Sequence, residues 1–199
     1  MIEITRLNVE HMHQIVLFDK TCFPTDFWKE EDWKDLLEDP RAIYYALLDG
    51  EKIVGDVFVY NWKGEKDYIK IMNIAVHADY RNHGLAHKLL NYVTAEMKKI
   101  GMHRFCGETR ASNHAMQRVF ENCGYILNVV EEDYYDNPNE SAYKLNMSCK
   151  YNRSVFGEFP FITQDGRTST HLWVYRAGIP CLSLWERWPS AARTDMAKL

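Results

Sequence analysis

The spacing of apolar residues changes period at Arg81, and this change constrains the fold more than any other stretch of the chain. Before it, Tyr68 to Val76 ends in an almost unbroken apolar run (Ile71, Met72, Ile74, Ala75, Val76), as in a central strand covered on both faces. After it, apolar residues fall at 85, 86, 89, 90, 93, 97 and 100, which is helical spacing, and Gly101 is placed to end the helix. The six residues Arg81-Asn82-His83-Gly84-Leu85-Ala86 join the two patterns. A buried strand followed by a tight turn and a long amphipathic helix calls for a sheet with helices packed on it.

Such a turn has its own chemistry. The first N–H groups of a helix lack internal partners and point the same way, and the helix dipole adds to their pull on an anion. Gly84 lets an anion approach the backbone, Ala86 keeps the next position small, and Arg81 can add a charge-assisted hydrogen bond. A pyrophosphate fits this description. Neither the P-loop pattern nor G-x-G-x-x-G is present. Taken alone, the turn is equally readable as an ordinary tight connection.

The surrounding chain extends the pattern. Glu3 to Leu7 alternates as a short strand, Asn8 suits a helix N-cap, and Phe23-Pro24-Thr25-Asp26 breaks the helix that follows. A second short helix carries Trp33, Leu36 and Leu37. Ala42 to Leu48 and Lys52 to Tyr60 form a hairpin about Asp49-Gly50, and Lys63-Gly64-Glu65-Lys66 turns into the strand at Tyr68. Beyond the long helix, Arg104 to Thr109 reads as a strand and Ser112 or Asn113 caps a helix bearing Ala115, Met116, Val119 and Phe120. Tyr125 to Val130 and Ala142 to Cys149 read as two last strands, with Glu131 to Pro138 an acidic loop between them. The expected class is α/β (α+β), with a mixed sheet of about seven strands and helices on both faces, over residues 1–150. Residues 151–199 are set apart as an extension. They hold three of the six tryptophans and three of the six prolines, and carry a formal charge of +2 from six basic and four acidic residues. Packing on the domain, homodimer formation and cover for a substrate are all open roles for it.

Composition excludes several functions. The net charge of −4 offers no footprint for nucleic acid, and no apolar run approaches the roughly 18 residues of a membrane span. The five widely spaced cysteines (22, 106, 123, 149, 181) read as reduced thiols in a cytoplasmic protein. The eight histidines, His83 and His87 among them, read mostly as surface residues, and no metal is expected.

Asn73-Ile74-Ala75-Val76, four linking residues, Arg81-x-x-Gly84-x-Ala86 and the long helix together resemble the acetyl-CoA motif of the GNAT acetyltransferase superfamily. Glu108-Thr109-Arg110-Ala111-Ser112-Asn113, Phe120 and Gly124-Tyr125 resemble its second cofactor segment. Together with Phe23-Pro24 and Tyr134-Tyr135, they are similar to the branch that acetylates the N-terminal amine of ribosomal proteins. The resemblance spans about residues 1–150. It implies an acetyl-CoA-dependent transfer to a primary amine, with a protein N-terminus, a polyamine, an aminoglycoside or a lysine side chain as acceptor. It further implies that Ile74, Ala75 and Val76 meet the pantetheine arm, with the Val76 N–H facing the thioester oxygen. The residues Arg81, Asn82, His83, Gly84, Leu85 and Ala86 then hold the pyrophosphate, and Asn113 reaches the arm or merely caps its helix. Glu108 matches the general base, provided burial raises its pKa; otherwise it is a partner for Arg104 or Arg110. Phe120 departs from the pattern, because the branch has at that place a tyrosine that protonates the departing sulfur. Phenylalanine cannot, which predicts a slower or differently assisted enzyme and keeps open a binding module without turnover. Tyr125 and Tyr134 are candidate substitutes. The acidic segment Glu131 to Asp136 either attracts a cationic acceptor or is simply solvated.

Overall fold

The computed structural model describes residues 2–148, apart from residues 25, 62, 63, 65 and 66. The extension 151–199, Cys149, Cys181 and most of the Lys63-Gly64-Glu65-Lys66 turn lie outside the described residues. The strands are β1 (Ile2–Leu7), β2 (Ala42–Asp49), β3 (Lys52–Tyr60), β4 (Tyr68–Val76), β5 (Arg104–Arg110), β6 (Ile126–Asp136) and β7 (Asn139–Ser148). The helices are α1 (Met12–Cys22), α2 (Glu30–Glu38), α3 (Leu85–Lys99) and α4 (His114–Asn122). The strands form one sheet in the order β1-β2-β3-β4-β5-β7-β6. Every neighbouring pair is antiparallel except β4 and β5, which run parallel because α3 carries the chain across between them.

Each face of the sheet has its own core. Leu89, Leu90, Val93 and Met97 of α3 and Val119 and Phe120 of α4 pack on Val57, Val59, Ile69, Ile71, Phe105 and Leu145. On the other face, Ile15, Val16 and Phe18 of α1 and Trp33 and Leu36 of α2 pack on Tyr44, Ala46, Ile53 and Phe58. Alternate residues of β3 feed the two cores, which is why its run is apolar almost throughout.

The feature that positions a site is the parting of the two parallel strands. Their pairing runs from Tyr68↔Arg104 to Ile71↔Gly107 and stops. Beyond it, β4 remains with β3 through Asn73, Ile74, Ala75 and Val76, whereas β5 remains with β7 through Glu108, Thr109 and Arg110. At the same level the β3–β4 register steps from Asn73 to Ile71 while β3 advances only from Phe58 to Val59, leaving Met72 as an extra residue. A bulge of this kind bends its strand and raises the local twist, which carries β4 away from β5.

One element differs from expectation. The acidic segment is not a loop: Glu131 to Asp136 belongs to β6, and Tyr135↔Glu140 and Asp136↔Asn139 continue the pairing to Asn137-Pro138. A register shift between Glu131 and Tyr135, with Asp133 at φ +52, interrupts the ladder there. A polar edge strand carries no apolar alternation, so its partner is what defines it.

Gly107 closes the part of β5 that is paired with β4, and a β-carbon there would overlap the Phe120 ring. Gly107→Ala should therefore cost about 1–3 kcal/mol of stability by urea unfolding. Phe120→Leu in the same chain should recover most of that loss; a Gly107→Ala protein as stable as the parent would show that the ring is not seated on this glycine.

Candidate functional site

The chain leaves β4 through a single 3-10 turn at residues 78–80 and reaches α3 through Arg81 to Gly84. Asn82 and Gly84 both have left-handed backbone, φ +65 and +72, a conformation that glycine adopts freely and asparagine tolerates. Gly84 is the N-cap of α3 and no side chain caps the helix. The first regular helical bond comes from the Lys88 N–H to the Gly84 carbonyl (3.0 Å), leaving Leu85, Ala86 and His87 to head the helix with their amides. A β-carbon built on Gly84 would meet nothing within 4 Å, so the space over the turn is open. Arg81 lies back along the strand end, its Nε donating to the Val76 carbonyl (3.1 Å), and His83 Nδ1 stands 3.3 Å from the Tyr80 carbonyl.

Backbone directions along β4 follow from its bonds to β3. The Ala75 N–H donates to Asp56 Oδ1 (2.9 Å) and the His77 N–H to the Val54 carbonyl (2.9 Å). Successive amides of a strand point to opposite edges. The N–H groups of Ile74 and Val76 are therefore turned to the other edge, where β5 has parted. The Arg81–Val76 bond reports the same edge. Ala75, expected among the residues meeting a ligand there, has its own N–H turned toward β3.

Glu108 is the first residue of β5 past the paired stretch. Its side chain lies on the face opposite Gly107 and Phe120 and is about 10% exposed. Lys70 Nζ stands 3.0 Å from its Oε2, the Tyr134 hydroxyl donates to the same oxygen at 2.8 Å, and Lys144 Nζ is 3.8 Å from Oε1. Lys144 also pairs with Glu131 and lies over the Tyr134 ring, 4.8 Å from its centroid. Burial alone would push the Glu108 carboxyl up. The Lys70 charge and hydrogen bond, the Tyr134 hydroxyl and the Lys144 charge outweigh it and hold the pKa below the ordinary glutamate value. The condition that burial raise this pKa is not met, because two lysines from neighbouring strands converge on the carboxylate. Its predicted arginine partners are engaged elsewhere: Arg104 with Asp67 (2.7 Å), and Arg110 with Glu140 (3.5 Å) and Asp26 (3.6 Å). The sequence reading missed Lys70 and Lys144; the signal for Lys70 is a lysine embedded in a mostly apolar central strand.

Arg110 draws distant segments to this end of the sheet. It donates to the carbonyls of Asn137 and Pro138 (3.1 Å each), its guanidinium lies 4.2 Å from the Tyr135 ring centre, and it faces Asp26 in the α1–α2 connection. The connection is anchored from behind by Asp19, which accepts from the Trp28 N–H (2.8 Å) and the Trp33 indole (3.1 Å). The α1–α2 connection that Phe23-Pro24 opens is thus tied, through Asp26, to the hairpin of Tyr134-Tyr135 beside Glu108. Of the candidate acids, Tyr134 reaches Glu108, while the Tyr125 hydroxyl is buried 3.4 Å from Thr94 Oγ1. Phe120 is buried against Gly107 with its ring 5.0 Å from that of Tyr125. Asn113 caps α4, accepting from the Met116 N–H at 3.1 Å. Among the described residues no group of three His, Cys, Asp or Glu side chains is arranged to hold a metal, and no helix is long and apolar enough to cross a membrane.

Comparison with known proteins bears on this geometry. Residues 9–125 match the sequence profile of the acetyltransferase (GNAT) family. A Bacillus subtilis (strain 168) protein, named as a candidate ribosomal protein bS18-alanine N-acetyltransferase, is 24% identical over 135 residues, covering 68% of this chain and 85% of that protein. The crystal structure of the ribosomal-protein-S18-alanine N-acetyltransferase of Escherichia coli superposes with a TM-score of 0.69 at 22% identity, over 81% of this chain and all of that one. Arabidopsis thaliana NAA60 in complex with acetyl-CoA superposes with a TM-score of 0.67 at 16% identity, over 75% of this chain and all of that one.

The ion pairing of Glu108 has a measurable signature. In the parent protein, the labelled Glu108 carboxyl carbon should titrate below the ordinary glutamate range by NMR. Lys70→Met removes the largest opposing charge and should move that titration upward. No change on removing Lys70 would show that the ammonium does not set the protonation of Glu108.

Proposed function

The chain belongs to the acetyltransferase (GNAT) family, and on that premise we propose that it carries the acetyl group of acetyl-CoA to the N-terminal amine of a protein. The observation that carries this reading is the placement of Glu108, at the point where β4 and β5 part, beside Tyr134 and the segments joined by Arg110. The turn formed by Arg81, Asn82, His83, Gly84, Leu85 and Ala86 takes the pyrophosphate on the uncapped amides of α3. Ile74 and Val76 present backbone groups to the pantetheine arm, with Ala75 between them setting their direction. The Val76 N–H meets the thioester oxygen, where charge develops during attack; one such donor is worth about 3 kcal/mol in other enzymes. Asn113, besides capping α4, and Phe120 are assigned to the arm as well. No homodimer is required for these contacts.

Glu108 receives the proton of the attacking amine, directly or through water. Its depressed pKa makes it a modest base, ionised throughout the neutral range. That suits an α-amine, with a pKa of about 8, of which roughly a quarter is neutral at about pH 7.5; a lysine amine, with a pKa of about 10.4, is almost wholly charged there. The departing CoA thiol, with a pKa of about 8.5, leaves tolerably without an acid, so Phe120 slows the cycle rather than stopping it. Two further readings differ in their outcome: acetylation of a small amine such as a polyamine or aminoglycoside, and acyl-CoA binding without turnover, which buried Phe120 favours.

Thiol release from acetyl-CoA, measured with Ser-, Ala- and Met-starting peptides beside polyamines and aminoglycosides, should show turnover with peptides. Turnover confined to small amines would reassign the acceptor, and tight binding with no turnover would leave a binding module. Glu108→Gln should lower kcat about 10²-fold across pH 6–9; full activity would remove Glu108 from the mechanism. Phe120→Tyr should raise kcat by about tenfold or more, measured in the same assay. Gly84→Trp should abolish acetyl-CoA binding in a folded protein, and unchanged affinity would refute the pyrophosphate placement.

A further inference from the structure

Past the bulge at Met72, β4 has lost β5 and depends on β3 for lateral support. Opposite Ala75 stands Asp56, a fully buried carboxyl inside the apolar run of β3. Its Oδ1 accepts the Ala75 N–H at 2.9 Å, and its Oδ2 accepts the hydroxyl of Tyr44, itself buried on β2, at 2.9 Å. The support at this step thus includes a side chain in addition to the β3–β4 pairing itself. A buried polar residue in a central strand is costly unless its bonds are made, and both oxygens of this one are used.

We propose that Asp56 is a positioning residue for acetyl-CoA: its carboxyl, steadied by Tyr44, fixes the Ala75 amide and thereby turns the Ile74 and Val76 N–H groups into the gap between β4 and β5. The proposal rests on the reading that this gap receives the pantetheine arm. The mechanism gives Asp56 no contact with the reacting atoms. It acts one residue away, through the plane of the peptide that carries the Ala75 N–H, and small rotations there redirect the neighbouring amides. Misplacement of a catalytic donor by about 1 Å costs on the order of 10²-fold.

The groups facing Asp56 are Tyr44 from β2 and Asp19 and Cys22 from α1. Burial, with the nearby Asp19 charge, pushes the carboxyl up to about 8 against the two hydrogen bonds that lower it. It is thus neutral through most of the physiological range, and in that state Oδ2 carries the proton and donates it to the Tyr44 oxygen while Oδ1 still accepts from Ala75. An amide is its close mimic, and Asn at this position keeps an oxygen for the Ala75 N–H.

The test compares Asp56→Leu with Asp56→Asn by calorimetric titration with acetyl-CoA and by steady-state kinetics. Asp56→Leu should weaken acetyl-CoA binding by about tenfold or more and lower kcat, while Asp56→Asn stays within about threefold of the parent in both. A folded Asp56→Leu protein with parental affinity and kcat overturns the proposal. Equal losses in both variants also overturn it, since the retained oxygen would then be irrelevant. If Asp56→Leu does not fold, Tyr44→Phe decides. Loss of the hydroxyl should shift the Ala75 amide resonance and weaken acetyl-CoA binding by about threefold or more, and no change in either overturns the proposal. Failure of the parent protein itself to bind acetyl-CoA would instead sink the reading of the gap, so the two failures are separable.

Discussion

The parting of β4 from β5 after Ile71 and Gly107 is the constraint on which the rest of the site depends. Two parallel strands that separate while each stays paired on its far side expose backbone groups to a gap without exposing the sheet as a whole. The bulge at Met72 supplies the bend, and the α3 crossover supplies the parallel direction. The uncapped start of α3 then lies directly after the strand that lines the gap. A ligand with an anionic end and a chain able to take the place of a missing strand matches that arrangement.

On the β5 side the same parting brings Glu108 to the edge of the gap, and the electrostatics there are set by partners from three other elements. Lys70 comes from β4, Lys144 from β7 and Tyr134 from β6. Folded Glu108 has a depressed pKa, so its pairing contributes stability that is present above the unfolded value and is lost as pH falls through the folded one. Asp56 has the opposite sign. Its raised pKa means that the folded state holds a proton the unfolded chain has released, and its burial becomes more costly as pH rises from the ordinary carboxylate range to about 8. Two acidic residues in one sheet are thus kept ionised and neutral, respectively, by the presence or absence of lysines.

Much of this was legible in the residue pattern. The bounds of β4 and β3, the helical run from Leu85, and the turn glycine at Gly84 follow from periodicity and from the conformations glycine allows. The last hairpin was less legible. Glu131 to Asp136 reads as a solvated loop, because an edge strand facing water has no apolar alternation to show. The raised pKa on which the base role of Glu108 was made to depend considers burial alone, and burial is only one of the forces present.

The class of fold and the nature of the turn are written in the residue order, since both rest on local matters: spacing, capping and the freedom of glycine. So is the absence of a hydroxyl from Phe120. Which groups meet is a matter of the folded chain. Lys70 and Glu108 are 38 positions apart, and Asp56 and Ala75 are 19 apart. Their encounters depend on strand order and register, which long-range pairing sets. A carboxylate's protonation and an amide's direction are properties of such encounters, and no residue carries them alone.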